Sequence, residues 1–299
     1  MNYFLHIGTL FLVYLLLAES MNIYLGYTGI LALSHIAFYG IGAYSGALIS
    51  LNFGSFWLGF ILGGVLAGLF GFLLGLTSIK LRADYLGIAT LGFAQIMYSI
   101  MQNWTDLTRG PLGLPGIPRP SIFGFQLTEK LHYFLFVLVI TAILMFFMYH
   151  MVKSPFGRIL ETIRDDEVAA KSLGKNTIAY KLIAFTIGAM IAGFAGSLMA
   201  HLVTYIDPMS FHTNELALVL IMTILGGLGL YWGPFLGVFF ILFVQEGVTF
   251  IDIIPAQYIG ATQMLLYSFL FLIAMIYFPQ GIMGWIKHGK RRSKQLTRY

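Results

Sequence analysis

The chain has 299 residues, of which 59% are hydrophobic and only 10% charged, whereas a soluble domain carries about 25% charged residues. With a mean hydropathy of +0.85 and a formal net charge of +5, this composition excludes a soluble globular domain and indicates an integral membrane protein. The absence of cysteine excludes disulfides, thiol catalysis and Cys-ligated metals, and the 34 glycines fit transmembrane helices that approach one another closely.

A run of about 20 apolar residues crosses the ~30 Å hydrocarbon layer. Runs of that order lie at 3–18, 22–51, 56–79, 85–102, 131–150, 182–204, 215–230, 233–251 and 262–278. The first lacks a basic leading region and reaches spanning length, so it reads as a retained helix rather than a signal peptide. Region 22–51 is too long for one comfortable span and too short for two. It contains Gly26, Gly29, Gly40, Gly42 and Gly46 around a polar Ser34-His35 pair, the pattern of a broken or re-entrant helix whose freed backbone groups face protein or water. Counted as one crossing it puts the N-terminus outside, and as two partial passes inside; both stay open. A similar break, ILGGLGLYWGPFLGVFF, starts at Ile224. One interrupted segment in each half hints at an internal repeat with a transport path between the halves. The spacings Gly42/Gly46, Gly64/Gly68, Gly71/Gly75 and Gly233/Gly237 suit close helix packing.

Basic residues orient the spans. Lys80 and Arg82 share one short loop, six (Lys153, Arg158, Arg164, Lys171, Lys175, Lys181) lie in 151–181, and six more follow from Lys287 onward. The positive-inside rule makes these regions cytoplasmic and the loop 103–130 external, with a basic cytoplasmic tail at 286–299. The expected fold is an all-α polytopic transmembrane bundle of about 8–10 spans, a single domain over 1–285.

The charged stretch RILETIRDDEVAAKSLG, from Arg158 to Gly174, stands out within this apolar chain. It predicts a short amphipathic helix capped by Ser154, begun by Pro155 and ended near Gly174 and Asn176. Ile159, Ile163 and Ala170 make its apolar side, and Glu167 stands in the favourable i,i+4 order to Lys171. A helix lying on an anionic leaflet would gain from basic residues, and this one bunches acids, so it is built to dock into something.

From here the residues are similar to a known family. GRILETIRDDEVAAKSLGKNTIAYKLIAFTIGAMIAGFAGSL resembles the cytoplasmic coupling loop of the permease subunits of bacterial branched-chain amino acid ABC importers. YTGILALSHIAFYGIGAY (27–44), LRADYLGIATLGFAQI (81–96), GPLGLPGIP (110–118), ILGGLGLYWGPFLG (224–237) and FPQGIMG (278–284) resemble further segments of the same family, in order. The resemblance implies a partnership with a second homologous permease subunit, two cytoplasmic ATP-binding subunits and an extracytoplasmic solute-binding protein. It also implies no cofactor, a bacterial inner-membrane location and a cytoplasmic C-terminus. The chain carries no GxxxxGK[ST] phosphate cradle, so nucleotide belongs to a partner. On this footing Glu161, Arg164, Asp165, Glu167, Ala169, Ala170 and Gly174 are the candidate ATPase-coupling residues.

Ser34, His35, Thr90, Gln95, Gly226 and Gly227 are the candidates for the translocation path, where hydroxyls, amides and backbone dipoles suit a zwitterionic solute. Permeases of the same superfamily for urea, sugars or nucleosides share the architecture. The acids at the membrane margins are Glu19, Asp84, Glu215 and Glu246, and an intramembrane carboxylate such as Glu246 raises a functional question by default. An ion-coupled secondary transporter would need more buried titratable groups than these spans offer. A membrane enzyme would need a nucleophile-base pair or metal cluster, yet His6, His35, His132, His150, His201, His212 and His288 are scattered, with His201 and His212 nearest to a constellation.

Overall fold

The computed structural model describes residues 2–122, 125–127, 129–249, 259–277 and 281–284. The basic tail and the start of the FPQGIMG segment lie outside the described residues. The described helices are α1 (Asn2–Leu25), α2 (His35–Phe53), α3 (Phe56–Ser78), α4 (Ala83–Asn103), α5 (Thr105–Thr108), α6 (Lys130–Lys153), α7 (Pro155–Asp165), α8 (Glu167–Ser172), α9 (Thr177–Val203), α10 (Thr213–Gly226), α11 (Gly233–Thr249) and α12 (Ile259–Tyr277). Two small antiparallel pairs join β1 (Leu114–Pro115) to β4 (Tyr205–Ile206), and β2 (Ser121–Ile122) to β3 (Phe125–Gln126). The chain folds as a polytopic helical membrane protein: among the described residues, α1, α2, α3, α6 and α9 are long and apolar enough to cross a bilayer.

The centre is a trio of α2, α3 and α9 packed through glycine. A Cβ at Gly42 would lie 2.1 Å from the Gly193 carbonyl oxygen, and one at Gly196 would lie 2.0 Å from that of Tyr39. Gly71 meets Ala189, and Gly64 meets the Phe194 ring. With little hydrophobic driving force between helices in lipid, such close backbone approach supplies the van der Waals contact that holds them. α1 and α6 pack around this trio, while α3 turns Leu58, Ile61, Val65 and Leu69 outward and α6 turns Leu135, Val139, Ile143 and Phe146 outward, as lipid-facing surfaces do.

Region 22–51 resolves into the last turn of α1, a break at 26–34 and one complete helix, α2. α1 extends to Leu25, past the expected end at 18, and α2 is a 19-residue helix. Gly29, with φ 72°, turns the chain between them. Arg164 donates to the Gly26 carbonyl, so α1 ends beside the basic loop. Its first turns lie at the opposite end, where Leu5, His6 and Thr9 line a cavity of about 240 Å³ with Arg119, Lys130, Tyr133 and Val203. Region 22–51 therefore makes one crossing.

Candidate coupling site

The charged stretch forms two helices where the sequence predicts one. α7 begins as expected, with Pro155 in the first turn and the Ser154 hydroxyl accepting from the Phe156 N–H at 3.1 Å. It stops at Asp166, whose backbone is extended (φ −157°, ψ 103°). The Asp166 carboxylate accepts from Val168 N–H at 2.9 Å and Ala169 N–H at 3.0 Å, capping α8. An aspartate inside a helical pattern competes for the backbone as a cap, and here the cap prevails. Gly174 takes φ 75° after α8, and Asn176 caps α9 through Ala179 N–H rather than closing the earlier helix.

Burial sorts the predicted residues. Gly157, Leu160, Ile163 and Ala170 are buried against the bundle, and Ile159 and Glu161 are half-buried. Ala170 thus seats α8 against the bundle. Asp165, Ala169 and Gly174 are exposed. Val168 and Leu173, at 73% and 72% exposure, present apolar side chains outward from α8. Glu167 is an internal anchor: it takes hydrogen bonds from Lys181 at 2.6 Å and Thr177 at 3.0 Å, and pairs with Lys171 at 3.0 Å. Partial burial pushes its carboxyl up, but the bonds from Lys181, Lys171 and Thr177 outweigh that and hold it down to about 2. α8 is thereby fastened to the first turn of α9.

Arg164 connects α7 to both interrupted segments. Its guanidinium donates to Gly26 O at 3.0 Å and pairs with Asp165 at 3.1 Å. A Cβ on Gly229 would collide with its Nη1, and one on Gly29 would lie 3.3 Å from its Cγ. The two breaks also bind each other: Gly229 N–H donates to the Asn22 side chain at 2.9 Å, and the Asn22 amide donates to Leu230 O at 3.3 Å. Tyr231 reaches across to Met145 O of α6 at 2.6 Å, and a Cβ on Gly281 would collide with Gly227. Thus the 26–34 break and the 227–232 break meet at Arg164 of α7, with Gly281 of the C-terminal motif packed on Gly227. Asn22, Tyr231, Lys181 and Gly281 carried no local signal of this role, because each acts through a residue far away in the chain.

The predicted path residues separate. Ser34 and His35 are buried at 0% and 1%; His35 Nε2 lies 2.9 Å from Leu17 O and 3.2 Å from Ser20 Oγ. Thr90, also buried, accepts from Leu33 N–H at 2.9 Å and so ties α4 to the first break. Gly226 and Gly227 are buried at the second break, and Gln95 is exposed on α4. Three of the four marginal acids are engaged: Tyr3 donates to Glu246, Tyr14 donates to Glu215 at 3.2 Å, and Asn22 donates to buried Glu19 at 3.4 Å, while Asp84 is exposed in the first turn of α4. His201 spans Ser197 O and Ser50 Oγ at 2.7 and 2.9 Å, while His212 stacks edgewise on Tyr98. Among the described residues, no group of three or more His, Asp or Glu is placed to hold a metal.

A membrane bundle whose loop folds into an anchored handle, joined by one arginine to two helix breaks, has the build of a transport permease. The family described as "Branched-chain amino acid transport system / permease component" matches residues 3–277, and the chain belongs to it. It is 33% identical over 319 residues to the high-affinity branched-chain amino acid transport system permease protein LivM of Escherichia coli K12, covering 97% of this chain and 73% of that one. It is 27% identical over 186 residues to the autoinducer 2 import system permease protein LsrC of Klebsiella pneumoniae, covering 60% and 51%. To the nucleoside ABC transporter permease protein NupC of Lactococcus lactis it is 26% identical over 180 residues, covering 55% and 56%. No solved structure matches the chain at a significant level. The relatives are named as transport permeases, a non-enzymatic role.

Proposed function

We propose that the chain is the transmembrane subunit of an ABC importer that moves branched-chain or related hydrophobic amino acids into the cytoplasm. It works by alternating access, driven by two partner ATPase subunits, beside a second homologous permease and an extracytoplasmic solute-binding protein. Residues 1–285 form one permease domain in the bacterial inner membrane, and the tail 286–299 is cytoplasmic. The observation that carries this reading is the Arg164 link between the handle and the Gly26 carbonyl. The ATPases seat on the exposed side of the handle, at Asp165, Val168, Ala169, Leu173 and Gly174, with half-buried Glu161 at its edge. A ligand shifts an equilibrium only through different contacts in its two states, so nucleotide must change how the ATPases hold this surface. Arg164 passes that change to the breaks at 26–34 and 227–232, which hold Ser34 and Gly227 and are flanked by His35 and Gly226.

The test is the double charge reversal Arg164→Glu with Glu167→Lys. Uptake and co-purification of the ATPases are expected to disappear while the chain still inserts in the membrane; normal uptake by this variant overturns the coupling role. Full-speed transport by the chain reconstituted alone overturns the importer reading as a whole. The likeness to LsrC and NupC, whose names specify other solutes, supports a second reading with a different cargo. Competition of labelled leucine uptake by unlabelled nucleosides and sugars separates the two.

A further inference from the structure

Helix α4 differs from the other long helices on its outward side. At 21 residues it is long enough to cross the membrane, yet it is less apolar than the five helices that qualify. Its exposed residues Asp84, Ile88, Gly92, Gln95, Ser99 and Asn103 recur every three or four positions, so they form one edge along the whole helix. Around the helix from this edge, Tyr85, Ile96 and Ile100 are exposed and mostly apolar. The corresponding faces of α3 and α6 are apolar, with Leu58, Ile61, Val65 and Leu69 on one and Leu135, Val139, Ile143 and Phe146 on the other. Lipid tails offer no partner to an amide or hydroxyl, and polar side chains within spans face a bundle interior or a watery cavity. Gln95 stands just past the middle of α4, exposed, whereas Ser34, His35 and Thr90 are enclosed.

We propose that the polar edge of α4 lines the water-filled passage through which the solute crosses, and that a second permease subunit supplies the opposite wall. This rests on the importer reading and names the surface that reading leaves open. The chemistry fits an amino acid with an apolar side chain. The Gln95 amide offers a donor and an acceptor to the charged ends, the Ser99 hydroxyl, which accepts from Asn103 Nδ2 at 3.1 Å, keeps its O–H for a carboxylate, and Ile88 and Gly92 leave an apolar stretch beside them.

Because the chain has no cysteine, single-cysteine variants report one position each. The assay uses the assembled transporter in membrane vesicles and a charged, membrane-impermeant thiosulfonate. Gln95→Cys and Ser99→Cys are expected to react at least about tenfold faster than Ile143→Cys of α6 or Ile61→Cys of α3, since a thiol in apolar surroundings is kept from its reactive thiolate form. Saturating leucine is expected to slow labelling at one or both of the α4 positions. Should Gln95→Cys fail to insert, Gly92→Cys on the same edge takes its place. Labelling as slow as at Ile143→Cys, or labelling that leucine leaves unchanged at every α4 position, overturns the proposal. The unaltered chain is assayed alongside: absence of ATP-dependent leucine uptake there sinks the importer reading, whereas uptake together with silent α4 positions sinks only the passage along α4.

Discussion

The α2, α3 and α9 trio and the junction under α7 are both built on glycine, and they use it for different ends. In the trio the glycines sit in ordinary helical backbone and matter for what they lack, since any Cβ at Gly42 or Gly196 would enter a neighbouring backbone. At the junction Gly29, Gly227 and Gly229 hold φ of 72°, 122° and 69°, conformations that cost an L side chain free energy. Backbone approaches backbone here too, Gly26 to Gly229 and Gly227 to Gly281, but the segments are also tied by side-chain hydrogen bonds from Arg164 and to and from Asn22. Backbone-to-backbone packing cannot rearrange without parting the helices, whereas a hydrogen bond to a loop carbonyl can be exchanged. The trio is therefore suited to move as one body and the junction to be where movement begins.

The largest effect that sharpens this contrast is expected from Gly42→Ala. Its Cβ would lie within 2.5 Å of three backbone atoms of Gly193, and no rotamer change relieves a clash with backbone. The cost is about 3 kcal/mol or more, at the upper end of overpacking. Thermal unfolding in detergent measures it, with Gly247→Ala, where a Cβ meets nothing, as the reference. Uptake is expected to fall only in proportion to the folded protein recovered. If Gly42→Ala is as stable as Gly247→Ala, the trio is not the rigid body described.

Gly229→Ala is expected to cost less stability and more function. A left-handed L residue costs about 1–2 kcal/mol, and the added Cβ would lie 2.9 Å from the Gly26 carbonyl oxygen, which must give slightly, and 2.3 Å from Arg164 Nη1. That atom ends a flexible side chain, so Arg164 yields and leaves the Gly26 carbonyl. Uptake per folded molecule is expected to collapse while the melting temperature moves less than in Gly42→Ala. Equal loss of stability and uptake in both variants would erase the distinction between body and joint.

How far the sequence reveals this arrangement follows the same contrast. Apolar runs and basic loops are local and plentiful, so they locate the spans and the handle. The small-residue spacings likewise point to the trio, because packing demands them at helical intervals. The junction is written in single residues that pair across more than a hundred positions, such as Arg164 with Gly26 and Asn22 with Gly229, and no period marks them. The break at Asp166 was legible in principle, since an aspartate two and three residues before free N–H groups is a cap signal. It was hidden because the same residue also fits the polar face of an uninterrupted helix. The Glu167 to Lys171 pair is local and visible, while the shorter bond to Lys181 depends on α9 folding back.

That second bond supplies the smallest and most specific test. Glu167 fastens α8 to α9, and the pair is partly exposed, so Glu167→Gln is expected to cost about 1 kcal/mol or less at neutral pH. The pH dependence identifies the cause. The folded carboxyl titrates at about 2 against an ordinary value of 4.5, so its contribution is fully present above pH 4.5 and fades as pH falls from there toward 2. The stability gap between the parent chain and Glu167→Gln should accordingly hold steady from pH 7 to pH 5 and narrow below, as read by thermal unfolding in detergent. A gap that stays constant down to pH 3 would mean that the glutamate's packing, and not its charge, secures the handle. The handle would then be part of the rigid body, and the joint would have to lie further in, at the Gly26 carbonyl itself.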